Sequence, residues 1–340
     1  MMTRRFRLSV LACAGMLAIP ATRGGSAQPT EPTMTATDAV GQVITGRFHG
    51  PAGGRAWRLY VPSSYVRSKP PMLMVLLHGC TQTAADIARG SQMDQVAEEL
   101  GFLVLYPEQP VEANPRTCWN WFDAAHQARD AGEPAILAGL VADVLTQFPA
   151  DPTRVHIVGI SAGAAMAGLV AVAYPERFAT LTSLSGVPWQ AARNVGAALS
   201  VMQRGAGDAV PSADAVLLGM GAHSRALPVL VIHGGADAVV AFRNADETAT
   251  QWVGVHDRLR ANAGAPPLQA TPEQVTQDNA YTVRRVDWRD ASGAAVVTRV
   301  RIDELGHAWA GGSTAGTFTD AKGPDVSRMV ATFCQQHRLP

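Results

Sequence analysis

Val155-His156-Ile157-Val158-Gly159-Ile160-Ser161-Ala162-Gly163-Ala164-Ala165-Met166 is the stretch that decides how this chain is read. An apolar run of strand type ends in Gly-x-Ser-x-Gly and passes straight into small, helix-forming residues, which is the strand, tight turn and helix of a nucleophile elbow. Such a turn leaves no room for a side chain at positions 159 and 163, and it lifts the serine above the sheet edge. Ser161 is therefore the candidate nucleophile. With 32 glycines in the chain the motif alone could arise by chance. The reading rests on the strand before it, the helix after it and the further groups that acyl transfer needs downstream.

Outward from this stretch, strand and helix patterns alternate. Residues 43–48 and 55–61 read as an opening hairpin around Gly50-Pro51-Ala52-Gly53-Gly54. The continuous apolar run 72–77 is expected of a strand covered on both faces in a parallel sheet. A helix over 84–100 and a strand over 102–106, stopped by Pro107, complete a strand, helix, strand unit. Residues 108–133 show no simple period, and an amphipathic helix over 134–148 leads to the elbow strand. After the elbow helix come a strand over 180–185, an irregular stretch 186–227, a strand over 228–233 and a helix over 244–262. Strands over 281–288 and 296–302 follow, then a last helix over 324–337 with Pro324 in its first turn and Val326, Met329, Val330 and Phe333 on its apolar face. The pattern predicts an α/β fold with a mostly parallel sheet, helices on both faces and right-handed crossovers.

Composition narrows the function classes. The formal net charge is zero, so neither nucleic acid nor an anionic membrane surface is expected as a partner. Arg4, Arg5 and Arg7 precede an apolar run over 8–19 and small residues ending Gly25-Ser26-Ala27, which reads as an export signal over 1–27. The apolar run is too short for the roughly 20 residues that span a bilayer, so no membrane anchor is expected. Residues 28–42, rich in Thr and Pro, read as a disordered lead-in, and residues 43–340 as one catalytic domain. Export makes a disulfide admissible among Cys80, Cys118 and Cys334 and leaves one thiol over; Cys334, beside the apolar face of the last helix, reads as buried. No cysteine has metal-site spacing, and neither metal nor cofactor is expected.

A serine hydroxyl needs a base within reach, oriented by a carboxylate, and in this fold type the order along the chain is Ser, acid, His. Of His223, His233, His256 and His307, only His307 lies in a Gly-rich loop directly after an expected strand, in Gly306-His307-Ala308-Trp309. Asp237 lies just past the strand over 228–233, in His233-Gly234-Gly235-Ala236-Asp237, whereas Asp208, Asp214 and Asp246 lie in irregular or helical context. The oxyanion needs two fixed donors. The Ala162 amide is one, and the Cys80 amide, in His78-Gly79-Cys80 at the end of the strand over 72–77, is the natural second.

These motifs, together with Leu77-His78-Gly79-Cys80-Thr81-Gln82 and Cys118-Trp119-Asn120-Trp121-Phe122, resemble the polyhydroxybutyrate (PHB) depolymerase-type esterases of the α/β-hydrolase superfamily, from about residue 57 to 333. The resemblance implies Ser161 as nucleophile, Asp237 as acid, His307 as base and Cys80 as oxyanion-hole residue. It departs at Ala164, where the family often has a second glycine. Trp119, Trp121, Phe122 and Trp309 are expected to line the substrate site. A Cys80–Cys118 bridge is expected, since it would tie the oxyanion loop to the aromatic loop.

The expected activity is that of a secreted serine esterase on hydroxyalkanoate polymers or oligomers. A feruloyl or acetylxylan esterase acting on plant polysaccharide is the alternative of the same chemistry, and a non-catalytic secreted binding protein the alternative of another class. The family's linker and polymer-binding module is not seen after the catalytic domain, so crystalline polymer is expected to be a poor substrate. The oligomeric state is left open.

Overall fold

The computed structural model describes residues 41–340. The export signal and all but the end of the lead-in fall outside them. Strand β1 (Gln42–Gly50) already begins at the last lead-in residue and forms an antiparallel hairpin with β2 (Gly53–Val61). Then come β3 (Leu73–Leu77), helices α1 (Ala84–Ser91) and α2 (Met93–Leu100), and β4 (Leu103–Glu108). Helix α3 (Gly132–Gln147) leads into β5 (Val155–Ile160) and α4 (Ala162–Ala173). They are followed by β6 (Thr180–Leu184), α5 (Val195–Arg204), α6 (Ala213–Met220), β7 (Val229–Gly234) and α7 (Arg243–Asn262). The chain closes with β8 (Gln269–Ala270), β9 (Gln274–Asp278), β10 (Tyr281–Arg289), β11 (Ala295–Ile302), the two-residue pair β12 (Trp309–Ala310) and β13 (Thr319–Asp320), and α8 (Val326–Gln335).

The main sheet runs β1-β2-β4-β3-β5-β6-β7-β11-β10-β8, with β9 also paired to β10. Its centre, from β4 to β11, is parallel, and both edges are antiparallel. Side chains of a strand alternate between faces, and this builds two cores. Leu73, Val75 and Leu77 of β3 join one apolar cluster with residues of α3, α4, α6 and α7. Met74 and Leu76 join the other, with residues of α1, α2 and α8. Every residue of α4 is buried, as expected of a helix that is apolar all round.

Several boundaries differ from the sequence reading, each for a local reason. The helix expected over 84–100 breaks at Gln92, which has φ 55°. Ser91 Oγ accepts the Met93 N–H, and the Ser327 hydroxyl donates to the Ser91 carbonyl, so both groups leave the helical ladder. Strand β4 runs through Pro107 to Glu108, paired with β2. Pro107 lies past the last β3 partner, Val75 with Leu105, where a missing N–H interrupts nothing. The stretch 186–227 is not irregular throughout but holds α5 and α6, whose apolar residues do not keep to one face: Leu199 and Leu218 are exposed while Val201 and Val216 are buried. Their caps were legible, since Asn194 and Ser212 accept the Ala197 and Ala215 N–H groups. In α8 the N-cap is Asp325, with Pro324 just outside the helix. Cys334 is buried, and burial raises its thiol pKa to about 12.

A methyl group at Gly163 would lie 2.3 Å from the Leu77 carbonyl oxygen, whereas one at Gly168, in the same helix, meets nothing within 4 Å. Gly163→Ala should therefore cost about 1–3 kcal/mol, and Gly168→Ala should be neutral or stabilise by up to about 1 kcal/mol. Denaturant midpoints of the two variants check this; equal shifts would show that the close approach is not limiting.

Candidate active site

Four neighbouring parallel strands, β5, β6, β7 and β11, bring their C-terminal ends to one edge, where ligands bind in sheets of this type. Ser161 follows β5 directly with φ 57° and ψ −123°, a backbone conformation that side chains rarely adopt. It is held there on both sides: its N–H donates to the Leu184 carbonyl at 2.9 Å, and its own carbonyl accepts the Ala164 and Ala165 N–H groups at 3.0 and 3.1 Å. A methyl group on Gly159 would meet the Gly163 carbonyl oxygen at 2.2 Å, so both glycines of the motif are sterically required.

Asp237 follows β7 and His307 follows β11. The His307 Nδ1–H donates to Asp237 Oδ2 at 2.7 Å, with both side chains almost wholly buried. The other oxygen, Oδ1, accepts the Val239 and Val240 N–H groups at 2.9 and 2.8 Å. His233 Nε2, 2.8 Å from the Val240 carbonyl, also lies 3.5 Å from Oδ2. Burial by itself would raise the Asp237 pKa. Hydrogen bonds from His233 and His307, the attraction of His307 and the Val240 N–H outweigh it and hold the carboxyl well below its usual range. Its surroundings thus favour Asp237 as the anion, and Nε2 is the His307 nitrogen left for proton transfer. The two loops are stitched together, since the Gly235 N–H donates to the Ile302 carbonyl and the Ala236 N–H to the Leu305 carbonyl.

The loop after β3 lies against the serine: a methyl group on Gly79 would be 3.4 Å from Ser161 Cβ. Cys80 lines the same cavity as Ser161 and Ala162. Neither the Cys80 nor the Ala162 N–H has a protein acceptor among the described residues. His78 is buried, which lowers its pKa; its Nδ1–H donates to the Gly79 carbonyl, and Nε2 accepts the Gln109 N–H. A disulfide joins Cys80 to Cys118, and closing a loop of 38 residues is worth about 4 kcal/mol in the chain-entropy model.

Behind this loop lies a buried ion pair that sequence reasoning missed. Glu133, 0% exposed, accepts hydrogen bonds from Arg55, from the Gln109 side chain and from the Asn120 N–H and side-chain amide. In the sequence Glu133 closes the stretch 108–133 that shows no period, whereas in the structure it stands at the start of α3; only the fold shows that it anchors both the aromatic loop and the residue holding His78.

The four aromatic residues separate. Trp121 lines the cavity beside Ser161, and half-buried Phe122 packs edge-on against it with ring centroids 5.6 Å apart. Trp119 is fully buried, its indole N–H donating to the His78 carbonyl at 3.1 Å, so it supports the loop from within the core. Trp309 is also fully buried, bonded to the Ser327 hydroxyl, in the apolar cluster on the α8 side of the sheet. Trp119 and Trp309 are therefore core residues rather than site lining; adjacency to His307 along the chain misled, because the backbone turns Trp309 inward as part of β12. Phe318 packs edge-on against the His307 ring instead, at 6.0 Å.

The cavity is small, with a volume of about 30 Å³, far below the roughly 300–1,000 Å³ typical of small-molecule sites. Its wall includes Ala165, Ser185, Val187, Met202 and Val240, none of them singled out by sequence. A larger cleft of about 330 Å³ between α8 and the β10 side of the sheet holds none of these groups. Among the described residues no cluster of three or more His, Cys, Asp or Glu could hold a metal ion.

A parallel-centred sheet with a serine elbow and an Asp–His pair at its C-terminal edge is the α/β-hydrolase fold. In agreement, the chain superposes on an acetyl xylan esterase from Aspergillus awamori with a TM-score of 0.62 at 24% identity, over 78% of this chain and 94% of that one. It also superposes on an S-formylglutathione hydrolase from Agrobacterium tumefaciens with a TM-score of 0.51 at 16% identity, over 88% and 96%. The chain belongs to the family described as Esterase PHB depolymerase, whose profile matches residues 55–277. It is 31% identical to poly(3-hydroxyalkanoate) depolymerase C of Paucimonas lemoignei over 73% of this chain and 57% of that protein. It is 31% identical to acetylxylan esterase A of Talaromyces purpureogenus over 63% and 56%. The chain thus spans a little over half the length of these curated relatives.

Removing one partner of a buried pair leaves the other charge unmatched, at about 3–5 kcal/mol. Glu133→Ala should lower unfolding free energy by that amount, measured by denaturant titration; a loss below about 1 kcal/mol would mean that Arg55 finds water instead.

Proposed function

We propose that this protein is a secreted serine carboxylic-ester hydrolase that acts on hydroxyalkanoate polymers or oligomers through an acyl-enzyme. The observation that carries the reading is the Nδ1 bond of His307 to the buried Asp237 carboxylate, on the sheet edge that presents Ser161. With Nδ1 committed, His307 Nε2 takes the proton from Ser161 Oγ as that oxygen attacks the ester carbonyl, and Asp237 stabilises the imidazolium that forms. The Cys80 and Ala162 N–H groups, without a protein acceptor among the described residues, bind the carbonyl oxygen as it gains charge. His307 then returns the proton to the leaving alcohol. Water, deprotonated by the same nitrogen, releases the acid and restores Ser161.

A small cavity, about 30 Å³ and walled mainly by apolar side chains, supports a short acyl group. An acetylxylan esterase is the second reading, favoured by the same small cavity and by the matching fungal relatives; a bulky feruloyl group is served less well. Export is supported by the disulfide and by the signal read over 1–27. Among the described residues no helix is long and apolar enough to cross a membrane.

Ser161→Ala should retain only the contribution of the oxyanion hole and binding, on the order of 10³–10⁴ over water, and should lose labelling by a fluorophosphonate. Activity above a few per cent of wild type would place the nucleophile elsewhere. Rates of the wild type on hydroxybutyrate oligomers, acetylated xylan and methyl ferulate then order the substrates. Brisk deacetylation with no oligomer cleavage would transfer the function to the second reading. Exported protein should begin at Gln28, which intact mass determines.

A further inference from the structure

Ser185, the residue after β6, is fully buried, yet its Oγ has no hydrogen-bond partner among the described residues. Buried hydroxyls are nearly always paired, so one left open calls for an explanation. Its backbone has φ 48°, in the left-handed region that favours glycine. The turn is imposed from both sides. The Ser185 N–H donates to the Ile232 carbonyl at 2.9 Å, and a methyl group on the next residue, Gly186, would meet Ser183 Oγ at 2.5 Å and Ala164 Cβ at 2.7 Å. A glycine would relax the backbone at 185 and remove the unpaired oxygen, but the position carries a serine.

Ser185 also lines the cavity beside Ser161 and Ala162. The rest of that wall is largely apolar, with Trp121, Val187, Met202 and Val240, so that apart from Ser161 no other lining side chain offers a hydroxyl. Small-molecule sites commonly combine an apolar wall with a few placed polar groups that fix orientation. The group held next to Ser161 through both chemical steps is the acyl group bonded to Oγ.

We propose that the Ser185 hydroxyl recognises an oxygen substituent on the acyl half of the substrate, the hydroxyl or ester oxygen that a hydroxyacyl group carries and a plain alkanoyl group lacks. This rests on the reading of Ser161 as nucleophile and deepens it: Ser185 is then a specificity residue for hydroxyacyl esters. An alkanoyl group of equal length leaves Oγ unpaired on binding, and a hydroxyacyl group pairs it.

The test compares p-nitrophenyl 3-hydroxybutyrate with p-nitrophenyl butyrate, which lacks only that hydroxyl, and with p-nitrophenyl acetate. Wild type should prefer the hydroxybutyrate in kcat/KM. Ser185→Ala should lower kcat/KM for it about 10-fold, the effect of one net hydrogen bond, while butyrate and acetate stay within about 2-fold. Ser185→Gly, which suits the backbone, should show the same selective loss without a fall in Tm and so separates recognition from misfolding. Equal losses on all three esters, or no loss on any, would overturn the assignment while leaving the esterase reading intact. Wild type that cleaves none of the three and takes no fluorophosphonate would overturn both.

Discussion

The backbone of β5 and α4 touches that of the β3 loop with no space between them. Gly163 lies so close to the Leu77 and His78 carbonyl oxygens, and Gly159 so close to the Gly163 carbonyl, that no Cβ fits at either place. This contact sets the angle at which chain leaves sheet. It holds Ser161 in a strained conformation and brings the loop His78-Gly79-Cys80 to its side, because the strand before that loop, β3, pairs directly with the strand before the serine, β5. Strain of this sort persists only where the surroundings over-determine it. Here they are a helix buried on every side and two sheet strands buried on both faces.

Electrostatics then divide the site in two. On one side, the Asp237 carboxylate is saturated by two backbone N–H groups and two histidines, so its charge survives burial. On the other, the loop proposed to hold the oxyanion carries no charge of its own, and its shape is maintained from behind. Glu133, Arg55, Gln109 and Asn120 form a buried network that reaches His78 through the Gln109 backbone, and the Cys80–Cys118 bond covers the front. Rigid donors that need no rearrangement as charge develops are the most effective kind. A buried, fully paired network is a physical means to that rigidity.

Much of the architecture was legible because local pattern and global fold agree. The apolar runs of β3, β4, β5 and β7 are those of strands covered on both faces, and Gly-x-Ser-x-Gly with its flanks could be little other than an elbow. Where local rules compete, the reading failed. At Ser91 a side chain takes a helical N–H. At Pro107 the strand survives because its pairing with β3 has already stopped, at Leu105. β8 and β9 are short and polar, and exist only because β10 offers them an edge.

The sequence by itself marked which residues are the candidates for chemistry. Ser161, Asp237 and His307 stand out because nucleophile, acid and base each need a particular residue type at a strand end, in one order along the chain, and turn geometry at such ends demands glycine beside them. Only the tertiary structure decided what surrounds them. Trp309 faces the core although it is two residues from His307, and Met202 reaches the cavity from a helix that its own pattern concealed. Glu133 is buried because Arg55, 78 residues earlier, arrives beside it. Side-chain direction and burial depend on packing between segments distant in sequence, and that packing leaves no local period to read.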